Sequence, residues 1–183
     1  PISMLTYEYH IGMLYPEGDD NAVRAVNAFN NGMRYYCGLC RGIYIDPVEY
    51  PTFLSIPTTE DVSLHGGYAN VLINDRDVDG IYIYPTITTD DLLTYVGTQG
   101  VYLIGTRMPP TRPGGWVMTV SPDTIKAIQI AWPQLIAGQG GQAVQSPLGL
   151  ADVDPGILPA GKLEEVQFIL NELLAGRILT SNP

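Results

Sequence analysis

Basic residues are scarce in this chain. Nine Lys plus Arg stand against nineteen Asp plus Glu, a formal charge of −10. Such a field repels nucleic acid and anionic membrane surfaces, and too few cations are present for a broad basic patch. No nucleic-acid partner is expected. An apolar stretch of about eighteen residues is also lacking, as is a basic segment leading into an apolar run at the N-terminus. Histidine is limited to His10 and His65, and cysteine to Cys37 and Cys40. Their types and spacings make a poor metal set, and both histidines read as single, satisfied side chains. Missing too are a Gly-x-Ser-x-Gly elbow, an HExxH pair and a P-loop lysine, and Gly12 and Gly18 do not form GxGxxG. The pattern therefore calls for no cofactor and no metal, and places no acid beside a partner base for catalysis.

What is present suits one α/β domain spanning residues 1–183, with 45% hydrophobic residues for its core. Twelve tyrosines against three phenylalanines suit strand ends and sheet faces where the hydroxyl reaches water. Cys37-Gly-Leu-Cys40 has the spacing of a redox pair, but it follows a helical segment, whereas that chemistry places the thiols at a helix start. A structural Cys37–Cys40 disulfide in an exported protein and two unlinked thiols both stay open.

The alternation of apolar runs and helical patterns predicts a three-layer αβα sandwich around a mostly parallel sheet, Rossmann-like or flavodoxin-like in build. Strands are expected at His10–Tyr15, Tyr50–Ile56, Gly80–Tyr84, Val101–Gly105 and Trp116–Val120, with an edge strand within Ala143–Leu150. Pro51 requires the second of these to be an edge strand or to begin there. Helices are expected from Ala22 to about Tyr36, capped by Asn21, from Asp61 to Asn74, and from Thr89 to Val96. Two more run from the Ser121-Pro-Asp123 opening to about Ala137 and from Gly161 or Lys162 to Ala175. In the fourth helix Ile125, Ile128, Ile130, Trp132 and Leu135 are the apolar positions. Asp75-Arg-Asp-Val-Asp79-Gly80 has the opening acids of a calcium loop, but its twelfth position is Thr86 rather than Glu, so it reads as a turn into a buried strand.

In parallel sheets ligands collect beyond the carboxyl ends of the strands. Those ends carry the loops Pro16–Asn21, Pro57–Asp61, Pro85–Thr89 and Thr106–Arg112, rich in hydroxyl, carboxylate and amide groups. Their chemistry suits hydrogen bonding to a polar solute better than covalent catalysis. The candidate ligand-binding residues are Tyr15, Asp19, Asp20, Tyr84, Thr86, Thr106 and Arg107.

Four stretches carry a resemblance. They are Asn27-Ala-Phe-Asn-Asn-Gly-Met33, Asp75-Arg-Asp-Val-Asp-Gly-Ile-Tyr-Ile83, Gly100-Val-Tyr-Leu-Ile-Gly105, and Pro159-Ala-Gly-Lys-Leu-Glu-Glu-Val166 running on to Leu174-Ala-Gly-Arg-Ile178. In order and spacing the chain resembles the C-terminal lobe of a type I periplasmic solute-binding protein, most closely the basic membrane lipoprotein family of ABC-transporter receptors. The resemblance implies non-catalytic binding of a small polar solute, nucleoside-like or sugar-like, between this lobe and a missing N-terminal lobe. It further implies a transporter permease as partner and an extracytoplasmic location, periplasmic or lipid-anchored. Where that family has an acid contacting the ligand after its fourth strand, this chain has Arg107. Apolar surface from Trp116 onward, left open in a solitary lobe, would suit a homodimer. The alternatives from other classes are a small flavodoxin-like enzyme and a protein-interaction module without ligand binding.

Overall fold

The computed structural model describes residues 2–6, 9–37, 48–141 and 143–180. Their strands are β1 (Ile11–Pro16), β2 (Thr52–Ile56), β3 (Gly80–Ile83), β4 (Tyr102–Gly105), β5 (Trp116–Pro122) and β6 (Leu148–Ala151). The α-helices are α1 (Asp20–Cys37), α2 (His65–Asn70), α3 (Asp90–Thr98), α4 (Thr124–Ile136) and α5 (Ala160–Leu174). The strands form one sheet in the order β2-β1-β3-β4-β5-β6. The first five are parallel and β6 runs antiparallel to β5. This is a mixed, mostly parallel sheet flanked by helices, a Rossmann-like α/β sandwich.

Strand alternation divides the core. Ile81 and Ile83 of β3 face one cluster with Leu72, Leu92, Leu93, Val96 and Leu103, while Tyr82 between them faces another with Met33, Ile104, Val117 and Val166. Successive side chains of a strand point to opposite faces. One layer is thus built from α2, the segment after it, and α3, and the other from α1 and α5. Gly12 fits the first because Leu72 Cδ1 and Val78 Cγ2 both come within 3.3 Å of where a Cβ would stand.

Local chemistry moved several boundaries. The cap of α1 is Asp19, not Asn21, since Asp19 Oδ1 accepts from the backbone N–H of Asn21 at 2.8 Å and of Ala22 at 3.2 Å. Pro51 does precede an edge strand, with a cis Tyr50–Pro51 bond. The helix expected over Asp61–Asn74 is broken into a 3₁₀ turn (Val62–Leu64), α2, and a π-helical segment (Val71–Asp75). Gly66 and Gly67 sit inside it, and glycine weakens helix interiors. Ser121 and Pro122 belong to β5 rather than opening α4; Asp123 is the cap, with its carboxylate accepting from Lys126 N. Gly80 does start a strand, so Asp75–Gly80 is a turn into β3.

The largest departure concerns α4. None of its residues is buried, and none joins either core cluster. The apolar positions Ile125, Ile128, Trp132 and Leu135 all lie exposed. The reason is topological: β5 and β6 are antiparallel neighbours, so their connection returns at the same end of the sheet and need not cross a face, as a parallel crossover must. Cys40 and the Cys37 side chain lie outside the described residues, and with them the disulfide expectation.

Candidate functional site

The strand order reverses direction at β1: the chain steps outward to β2 and then returns past β1 to β3. In open α/β sheets that switch leaves a crevice beyond the carboxyl ends of the two diverging strands. A cavity of about 330 Å³ lies there, lined by residues from three loops: Pro16 to Asp19 after β1, Pro57 to Val62 with His65 after β2, and Thr86 and Ile87 after β3. This is within the size range of small-molecule sites.

Each wall is held by ordinary backbone chemistry. Glu17 N donates to Ile56 O at 2.8 Å, continuing the β1–β2 ladder one residue past the strand. Gly18 then turns at φ +74°, a conformation that costs a side chain but not glycine, and Asp19 caps α1, where the positive end of the helix suits its carboxylate. On the β2 side, Glu60 N donates to Pro57 O at 3.0 Å. Asp61 Oδ1 accepts from Ser63 N at 2.8 Å and Ser63 Oγ at 2.6 Å; the bonds to Ser63 hold its pKa below the usual carboxylate value. After β3, Thr88 Oγ1 donates to Tyr84 O at 3.0 Å and Thr89 caps α3 by accepting from Leu92 N.

The cavity wall is rich in acceptors. It carries the carboxylates of Glu17, Asp19 and Glu60 and the hydroxyls of Thr58 and Thr86, and no lysine or arginine lines it. Glu60 Oε2 accepts from the Tyr68 hydroxyl at 2.8 Å. His65 is 5% exposed, and its Nδ1 is fully buried without a hydrogen-bond partner among the described residues. A buried ring nitrogen left unpaired costs about 1–3 kcal/mol, so this histidine is not the satisfied side chain that its isolation in the sequence suggested. His65 is one of the residues that line the cavity.

No protein-family model matches the chain, and no curated protein matches it. The site therefore rests on its own geometry.

Two of the residues expected from the sequence, Asp19 and Thr86, line this cavity. The others do not. Tyr15 is half-buried within β1, opposite Ser55 of β2, and Asp20 is the exposed first residue of α1. Tyr84 precedes the 3₁₀ turn Pro85–Ile87. Thr106 and Arg107 lie past β4, away from the switch, and Arg107 Nη2 pairs with Asp90 Oδ1 at 3.0 Å at the exposed start of α3. Of the four loops expected to gather at the strand ends, the first three converge and the fourth does not line the cavity. Glu17 and Glu60 were inside the expected loops but not singled out. His65 was not singled out as a site residue, although its spacing with Ala69 and Leu72, i, i+4 and i+7, puts it on one apolar face with two residues that are buried.

A larger space of about 620 Å³ lies between α1 and α5, walled by Phe29, Met33, Leu150, Val166 and Leu170 among others. It sits over the sheet face rather than at the strand ends, and its lining is dominated by hydrocarbon. Among the described residues no group of three or more His, Cys, Asp or Glu is placed to hold a metal ion.

Proposed function

We infer that this domain binds a small, polar solute rich in hydrogen-bond donors at the β1/β3 switch, without catalysis. It does so as the C-terminal lobe of a type I periplasmic solute-binding receptor of the basic membrane lipoprotein kind, paired with an N-terminal lobe and serving an ABC-transporter permease outside the cytoplasm. The observation that carries the solute-binding reading is the acceptor-lined cavity walled by an almost wholly buried histidine with an unpartnered nitrogen. Three carboxylates and two hydroxyls without a lysine or arginine disfavour an anionic solute and favour hydroxyl or amine donors. Sugar-like and nucleoside-like solutes present such donors. The receptor context is supported by the resemblance of segments from Asn27 to Ile178 and by a strand order of the kind that binds ligands at this edge.

The test is native mass spectrometry of the domain after exposure to a mixture of polyols, sugars, nucleosides, amines and organic acids. A retained neutral or amine-bearing solute is expected, with its retention reduced about tenfold or more in His65→Leu and in Glu60→Ala. Retention of organic acids alone, or equal retention by both variants, sinks the reading.

A further inference from the structure

We propose that α4 is a dimerisation helix that pairs with α4 of a second copy of this chain. Three observations lead to this. First, Ile125, Ile128, Trp132 and Leu135 recur at spacings of three, four and three residues, the a/d seam of a heptad pattern. They are 69%, 61%, 59% and 54% exposed, and Ile136 beside them is 71% exposed.

Second, the seam stands clear of the covered side of the helix. The partly covered positions of α4 are Ala127, Ala131 and Gln134, which at 100° per residue form one narrow stripe, and the seam is centred about 110° around the helix from it. Small alanines face the domain while the large side chains face outward, the reverse of a helix made to cover its own sheet.

Third, the seam matches itself in area and charge. Each of its large side chains leaves on the order of 100 Å² open, so that with Ile136 the seam offers roughly 500 Å², more than half of the ~800 Å² per partner of a standard stable interface. An unpartnered apolar surface of that size is at the upper end of the largest patch on a typical monomer, a patch that is often functional. Helix α4 has no Asp or Glu and one Lys, so an α4–α4 contact avoids bringing the acidic surfaces of two −10 chains face to face at its centre. In a two-fold, antiparallel pair every seam residue meets a seam residue, and Lys126 of one copy falls near the last turn of the other, where the helix end is negative.

Sedimentation velocity across about 1–300 µM, with tryptophan emission recorded in parallel, tests this. The expected result is a concentration-dependent dimer whose formation shifts emission to shorter wavelength, because Trp132 leaves water while Trp116 is already 1% exposed. Ile128→Glu and Trp132→Glu are expected to be monomeric over the whole range with an unchanged far-ultraviolet spectrum, since both side chains already stand in solvent. Ile130→Glu, exposed on the opposite side of the helix from the seam, is expected to dimerise like the parent. A chain that stays monomeric at 300 µM with emission independent of concentration overturns the proposal and leaves the seam to a different partner. A dimer that both seam variants retain places the interface elsewhere and overturns it equally.

Discussion

The Tyr68 hydroxyl donates to Glu60 Oε2 over 2.8 Å, tying α2 to the loop that follows β2. That bond, together with burial and the nearby charge of Glu60, raises the Tyr68 pKa above the ordinary phenol value. Its structural effect is to hold one of three cavity carboxylates in place. Tyr68→Phe keeps the ring and releases Glu60. Retention of the bound solute is then expected to fall about three- to tenfold, the range spanned by one net hydrogen bond. The midpoint of thermal unfolding should scarcely move, because the pair lies near solvent. Paired titration calorimetry and melting of wild type and variant check this, and a loss confined to the melting temperature would count against a positioning role.

Across β4 and β5, Gly105 has its own constraint. A Cβ there would overlap the ring of Trp116, which is 1% exposed in the core. Gly105→Ala should therefore destabilise by about 1–3 kcal/mol, the range for overpacking, and lower the melting temperature by roughly 2–10 °C in a domain of this size. Gly67→Ala is the contrast. Gly67 lies inside α2 with nothing within 4 Å of its would-be Cβ, so alanine should stabilise by about 0.5–1 kcal/mol through helix propensity and unfolded-state entropy. Urea unfolding of the two variants measures both signs.

Arg107 and Thr89 invite opposite outcomes although both serve α3. Thr89 accepts from Leu92 N at 3.1 Å as the helix cap, and Thr89→Ala is expected to cost about 1 kcal/mol. The Arg107–Asp90 pair is open to water on both sides, and such pairs contribute about 0–1 kcal/mol. Arg107→Ala should thus leave stability within ~0.5 kcal/mol of wild type and leave solute retention unchanged. A retention loss in Arg107→Ala would restore the fourth loop to the site.

The parallel core of this fold is legible in the sequence because β3 and β4 are apolar on both faces and bounded by glycine and proline, so their identity does not depend on what packs on them. Helix starts were less so. Asp19, Asn21, Ser121 and Asp123 are all good caps by type, and only the backbone path decides which carboxylate reaches a free N–H. The apolar stripe on α4 was legible as a stripe, but whether it faces the core depends on β6 running antiparallel to β5, a pairing that the four residues Leu148–Ala151 do not announce. The same holds for the site. Asp19 and Thr86 follow from the rule that strand ends gather ligands, whereas His65 becomes notable only once folding buries its ring beside the cavity and leaves Nδ1 without a partner.

Tyr82 makes the fold sensitive to alkali. It sits on β3 against Phe29, with ring centroids 6.2 Å apart, and burial, with a smaller contribution from the Tyr84 charge, pushes its pKa up to about 12. An acid whose pKa is raised on folding binds its proton more tightly in the native state than in the unfolded one, where a phenol titrates near 10. Between those two values the native chain holds more protons, so stability falls as pH rises. The contribution is complete below about pH 10 and lost through about pH 12. Between pH 9 and pH 11.5 wild type should lose about 2 kcal/mol that Tyr82→Phe keeps. The other tyrosines titrate in both proteins and cancel in the comparison. Urea unfolding of both at the two pH values is the measurement, and parallel losses would show that the Tyr82 phenol ionises as readily in the fold as outside it.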